Sequence, residues 1–245
     1  MRSNANRKYQ PVAAFTGFLD LSAARLVAKG GFRLIFEHDD FPGMLVKVLR
    51  PEFVGQDGQP VTKPGHRQKK FKFRRRLGAF QPTYREIAEF LAFQSKPDKR
   101  NGSWPIAKLH GFVETDIGLG LITERLTGPD GGLAPTLLVL VRSGMFSPRH
   151  EEALRSFFRQ IDDDHICMSD INPGNLVFVE SPEGGRFVAI DGLGSTTLLP
   201  LADWFAWINA RRNRRRSRKI WRFIENGGVK RRQKEKVATT TTSSV

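Results

Sequence analysis

The stretch "HICMSDINPGNLVFVE", residues 165–180, carries the question on which the fold turns. An apolar run at 176–179 follows a polar turn in which Asp170 and Asn175 stand five residues apart. Asp, Asn, Pro and Gly are turn formers, so these letters suit a plain joint between a helix and a strand. They also suit a loop that carries chemistry, and what surrounds them decides between the two.

Immediately upstream, "SPRHEEALRSFFRQI" predicts a helix with Ser147 as N-cap and Pro148 in the first helical position. Downstream, 176–179 and 187–190 read as a hairpin joined by "ESPEGG", followed by a long helix in "PLADWFAWINARRNRRRSRKIWRFIE". The stretch "APTLLVLVRSG" reads as helical, and ahead of it the turn-rich "TGPDGG" (127–132) marks a boundary between two lobes. Before that boundary the pattern is mostly strand. "RLVAKGGFRLIFEHDD" gives a hairpin around Gly30 and Gly31, with Phe32, Leu34 and Phe36 alternating onto one face. "FPGMLVKVLR" alternates as a strand does, with Lys47 its only internal charge, and two more strands lie in "IAKLHGFVET" and "GLGLITERL". Between them, 82–94 predicts a helix on which Tyr84, Ile87 and Leu91 recur at helical spacing and which carries Glu86 and Glu89. The fold class is α+β: a β-rich N-terminal lobe over 16–127 and a short, mostly helical C-terminal lobe over 128–236. Flexible ends are expected at 1–15 and 237–245.

At 245 residues, with 39% hydrophobic and 10% aromatic content, the chain suits one substantial domain or two small lobes sharing a cleft, and not a disordered polymer. Its single cysteine, Cys167, cannot form an intrachain disulfide and is expected to pack as a small apolar residue. The five histidines are scattered, so no Cys/His metal cluster is expected. No apolar leader or window of membrane-spanning length is legible, so the expected compartment is the cytoplasm. The net charge of +15 comes from two acid-free segments, 63–76 with eight Lys/Arg and 211–219 with seven. Phe71 and Phe73 interleave with the first. Either segment suits a polyanion, nucleic acid or anionic lipid, or a solvated face. The aromatic cluster Trp204, Phe205 and Trp207 is expected in the core.

The order of parts matters more than any one of them. A Gly-containing turn, a lone strand lysine, a helical glutamate, a turn-rich linker, Asp-x4-Asn after a helix and Ile-Asp-Gly after a strand follow one another. In that order the chain resembles the protein-kinase-like superfamily, with "MSDINPGN" (168–175) similar to its catalytic loop and "AIDGLG" (189–194) similar to its metal-binding motif. Together with the short C-terminal lobe, "SDINPGN…IDGLGS" resembles most the bacterial YrbL family, known as PhoP regulatory network proteins.

The resemblance implies a kinase-like two-lobed fold and a protein that binds ATP and Mg²⁺. It makes Asp170 the base that accepts a proton from the hydroxyl of an unidentified phosphate acceptor, and Asn175 and Asp191 the metal ligands, since Mg²⁺ prefers hard oxygen donors. Lys47 would reach the phosphates, held by Glu86 or, one turn along, Glu89. Gly30 and Gly31 would let the backbone approach the phosphates, and backbone groups of Glu124 and Leu126 would meet the adenine edge. Met168 stands where the family's His or Tyr is usual, and Asn172 where its Lys is usual. Three readings therefore stay open: a phosphotransferase, a pseudokinase or nucleotide-binding regulatory module, and a polyanion binder working through 63–76 and 211–219. Without the resemblance, Lys47 also suits an edge-strand charge that discourages pairing.

Overall fold

The computed structural model describes residues 17–55, 77–96, 104–181, 184–194 and 206–228. The basic segment 63–76, both chain ends, Trp204 and Phe205 lie outside the described residues.

Eight strands and four helices make up the described fold. β1 (Phe18–Leu19), β2 (Arg25–Lys29), β3 (Arg33–Glu37) and β4 (Met44–Leu49) come first, then helix α1 (Gln81–Gln94), β5 (Leu109–Thr115) and β6 (Gly118–Glu124). α2 (Leu137–Arg142), α3 (Pro148–Asp163), β7 (Leu176–Val179), β8 (Arg186–Ala189) and α4 (Ala206–Glu225) form the second part. The larger sheet has the order β1-β5-β6-β4-β3-β2. β4 is therefore internal, between β6 and β3, and Lys47 is not an edge charge. β1 pairs parallel to β5 and has no counterpart in the sequence reading, because two residues carry too short a pattern to find.

Each lobe has its own core. Phe36, Val46, Val48, Val113 and Ile122 meet Leu19, Leu21 and Phe41 under the sheet. A larger cluster joins α1, α2, α3, α4 and the β7–β8 hairpin, with Phe93, Leu137, Leu154, Ile161, Ile166, Phe178 and Ile220 almost fully buried. Between the strands Gly120 sits where an added Cβ would come 2.7 Å from Val46 Cγ1, so only glycine lets β6 pack this closely on its own sheet face.

One expectation about faces holds and another needs correcting. On β3, Leu34 and Phe36 share the face packed under the sheet, although Phe32, just before the strand, is 61% exposed; Arg33 is buried on the opposite face, toward the cleft. On α1 the buried positions are Thr83, Glu86, Phe90 and Phe93, while Tyr84 and Leu91 are exposed. The apolar periodicity misled because the inward stripe is half polar: an ion cluster occupies it.

α3 begins where Ser147 and Pro148 were expected to start it, and the Ser147 N–H donates to His150 Nδ1 at 3.1 Å. α4 packs against α3 and supports the turn that follows it. Asn209 and Asn213, each 1% exposed, both donate to the Ile166 carbonyl, at 2.9 and 3.2 Å. Trp207 is 67% exposed and so is not core; it lies off the stripe formed by Asn209, Asn213 and Ile220.

Candidate active site

The two lobes meet along a cleft of about 990 Å³, lined from the sheet by the β2–β3 turn and β4, and from below by the 169–175 turn and residues 190–193. At its deep end lies an ion cluster. Glu86, 2% exposed, accepts from two cations at once: Lys47 Nζ stands 3.4 Å from its Oε1, and Arg33 Nη1 donates to its Oε2 at 2.6 Å. A long ammonium needs such a carboxylate to stay aimed, and a buried carboxylate needs cations to stay ionised. Glu86, not Glu89, is therefore the partner of Lys47. Glu89 lies one turn on and accepts from the Cys167 N–H at 2.7 Å, so α1 grips the strand lysine with one glutamate and the start of the turn with the next.

Lys47 also donates to the Ile190 carbonyl at 2.7 Å, directly ahead of Asp191. Arg33 reaches further, to Thr83 Oγ1 at 3.2 Å and to within 3.9 Å of Asp191 Oδ1. Burial on its own would lower the Arg33 pKa; Glu86 and Asp191 outweigh it and hold the guanidinium above its ordinary value. It is a permanent charge in this site.

Across the cleft, the backbone sets the carboxylates in place. Asn172 Oδ1 accepts from the Gly174 N–H at 3.0 Å, which turns the chain back through Pro173. The N–H groups of Ser169 and Asp170 both donate to the Gly192 carbonyl, at 2.7 and 3.2 Å, and Ile190 N–H donates to the Asn175 carbonyl at 2.9 Å. The turn and the 190–193 segment are thus laced together. Gly192 has φ +81°, and a Cβ there would lie 2.2 Å from the Asp170 carbonyl oxygen and 3.4 Å from Asn175 Nδ2. That places the Asn175 amide at the Asp191–Gly192 corner. Asp191 is about half exposed, with its Oδ1 accepting the Gly192 N–H at 2.6 Å, and Asp170 is exposed on the cleft wall.

Of the residues singled out from the sequence, Gly30, Gly31, Lys47, Glu124, Leu126, Asp170, Asn175 and Asp191 all line this one cleft, and Glu86 lies buried behind Lys47. The Gly30 N–H closes the β2–β3 turn on the Arg33 carbonyl at 2.8 Å, and Gly31 has open space around it. At the lobe junction the Glu124 N–H bonds the Lys108 carbonyl and the Leu126 carbonyl takes the Ala134 N–H. Three site features escaped the sequence reading. One is Arg33. A second is Thr123, whose hydroxyl is buried in the cleft wall without a hydrogen-bond partner among the described residues. The third is Arg216 on α4, whose pKa burial and Arg212 lower while Asp170 and Cys167 oppose that, so a basic-segment arginine stands within electrostatic range of Asp170.

Residues 19–225 match the family described as PhoP regulatory network protein YrbL. The chain belongs to the YrbL family. Within it, YrbL of Escherichia coli K12, itself named an uncharacterized protein, is 28% identical over 146 residues, covering 57% of this chain and 68% of the relative. A Shigella flexneri YrbL matches with the same figures. Among solved structures, Rad53 residues 1–466 in complex with AMP-PNP aligns with TM-score 0.41 and 14% identity, over 69% of this chain and 38% of Rad53. The Mycobacterium tuberculosis PknI kinase domain aligns with TM-score 0.41 and 21% identity, over 70% of this chain and 59% of that one. This YrbL chain has a two-lobed α+β fold: a six-stranded sheet, one helix carrying the glutamate that pairs with the strand lysine, and a mostly helical lobe bearing the acidic turn.

The Gly192 corner yields a direct test. Gly192→Ala forces a Cβ onto the Asp170 carbonyl at a positive φ, so it is expected to destabilise the fold by about 1–3 kcal/mol. Gly31→Ala, which meets nothing within 4 Å, is expected to stay within about 0.5 kcal/mol of the parent. Urea melts of the two variants check this, and equal midpoints would contradict the packing described at the corner.

Proposed function

We propose that this YrbL protein binds ATP and Mg²⁺ in the cleft and transfers the γ-phosphoryl group to a hydroxyl acceptor. The observation that carries the reading is the Lys47–Glu86 pair, buried at the head of a cleft that also gathers Asp170, Asn175 and Asp191. The cleft has a size suited to a nucleotide. Leu45 of β4, Ala107 just ahead of β5 and Val177 of β7 give it apolar walls for a base. The Glu124 carbonyl and the Leu126 N–H are the junction groups that a base edge would use, with the orphaned Thr123 hydroxyl beside them.

The donor set fits Mg²⁺. A carboxylate and an amide oxygen are hard ligands, and Mg²⁺ keeps waters and phosphate oxygens for its remaining positions, so two protein ligands suffice. Bound there, the ion would supply charge neutralisation on the phosphates. Lys47 would hold the phosphates, aimed by Glu86. Asp170, exposed on the cleft wall, would take the acceptor's hydroxyl proton as its oxygen bonds phosphorus and the bond to the ADP oxygen breaks. Asn172 brings no cation to that step, which keeps a nucleotide-binding module without turnover as the alternative.

Calorimetric titration with ATP, with and without Mg²⁺, tests the reading. The parent is expected to bind, and Asp191→Ala to lose the Mg²⁺-dependent part. Asp170→Ala is expected to keep binding while phosphate release or transfer falls by roughly 10²–10⁴-fold. Failure of the parent to bind ATP contradicts the proposal; equal turnover in Asp170→Ala and the parent removes Asp170 as base.

One feature favours a second activity. α4 turns Arg211, Arg214, Arg215, Arg218, Lys219 and Arg222 to solvent while Asn209, Asn213 and Ile220 are buried, and the exposed Trp207 lies one turn ahead of Arg211. Arginine forks with an exposed indole suit nucleic-acid phosphates and a stacked base. Retention on single-stranded RNA or DNA is expected to fall steeply with salt, with a slope lowered by roughly one per cation in Arg211→Gln, Arg214→Gln and Arg218→Gln. Retention on anionic vesicles alone would overturn the nucleic-acid assignment.

A further inference from the structure

Holding phosphates takes Lys47, aimed by Glu86, and gives Arg33 no part in that contact. Glu86 already has Lys47 3.4 Å from one oxygen, so a second buried cation is not required to neutralise it. Taking a guanidinium out of water costs several kcal/mol unless opposite charge compensates. Beyond Glu86, the charge that faces Arg33 is Asp191, with 3.9 Å between Arg33 Nη1 and Asp191 Oδ1. Asp191 also faces the cleft.

A bare carboxylate at that point repels an anionic ligand. Two like charges in close approach repel more strongly at a protein surface than in bulk water. Lys47 and Arg33 against Glu86 and Asp191 bring the formal charge of the cluster to zero; without Arg33 it is one negative, facing a triphosphate. Arg33 is held by more than Asp191. Its 2.6 Å bond to Glu86 and its 3.2 Å bond to Thr83 fix the guanidinium whether or not Asp191 has another partner. Both anchors lie on α1, so they hold the cation independently of Asp191.

We propose that Arg33 is a tethered counter-cation for Asp191, which lets the cleft accept a nucleoside triphosphate in its metal-free form as well as with Mg²⁺. The inference rests on the nucleotide reading of the cleft. When Mg²⁺ is present, Arg33 keeps its two shorter contacts and nothing else in the cluster has to move. When it is absent, Arg33 screens the carboxylate that would otherwise repel the phosphates.

The test is equilibrium binding of ATP to the full chain, in Mg²⁺ and in EDTA. The parent is expected to bind in both, with dissociation constants within about tenfold of each other. Arg33→Met leaves Lys47 on Glu86; its EDTA affinity is expected to fall on the order of 30-fold or more, and its Mg²⁺ affinity by less than about fivefold. Adding Asp191→Asn to Arg33→Met is expected to restore the EDTA affinity, because the repelling charge is gone, and loss of a merely structural arginine would not be rescued this way. Should Arg33→Met fail to fold, Asp191→Asn alone decides: unchanged or tighter metal-free binding is expected, and weaker binding overturns the proposal. Equal losses in both conditions, or no rescue, also overturn it. A parent that binds ATP in Mg²⁺ but not in EDTA overturns the counter-cation and leaves the nucleotide reading standing, whereas a parent that binds in neither overturns both.

Discussion

The Glu86 carboxylate, buried with Lys47 on one oxygen and Arg33 on the other, is the interaction on which the cleft depends. Three elements meet there: β3 brings Arg33, β4 brings Lys47 and α1 brings the acid. Removing the acid strands two cations out of water, a loss of about 3–5 kcal/mol for a broken buried pair. Removing either cation leaves the other to hold α1 in place. The helix is therefore tied to the sheet by charge through Arg33 and Lys47.

The same helix carries the constraint across to the second lobe. Glu89 holds the Cys167 N–H, and Lys47 holds the Ile190 carbonyl, so the approach to the 169–175 turn is referred to α1 and the approach to Asp191 to β4. From below, Asn209 and Asn213 of α4 hold the Ile166 carbonyl. With its backbone fixed from these sides, the turn can leave Asp170 exposed and Asp191 half exposed without losing their geometry. Chemistry on phosphates consists mostly of positioning and charge, which is what such a frame supplies.

Much of the fold was legible because the relevant patterns are apolar. Alternation in "MLVKV" located β4 and singled out Lys47, and Ser147-Pro148 located the start of α3. The order of motifs gathered the site residues before any contact was visible. Charge burial defeated the same method. Alternation put Leu34 and Phe36 on one face of β3 and assigned nothing to Arg33 on the other, and the inward stripe of α1 was missed because Thr83 and Glu86 are polar. Only a three-dimensional partner makes such residues interior, and sequence periodicity carries no term for it. Trp207 failed in the opposite sense: an indole counts as core by hydropathy, yet on α4 the buried stripe is set by two asparagines and an isoleucine. Thr123, at the end of β6, looked like an ordinary strand threonine because its missing partner is visible only in the cleft.

Amide hydrogen exchange of the full chain, alone and with saturating ATP and Mg²⁺, tests the central claim most directly. Occupancy of the cleft predicts slowed exchange in three separate stretches: 28–34 around the β2–β3 turn, 124–127 at the lobe junction, and 189–193 around Asp191. Exchange unchanged in all three, or slowed only along α4, would contradict a nucleotide held between Lys47 and Asp191.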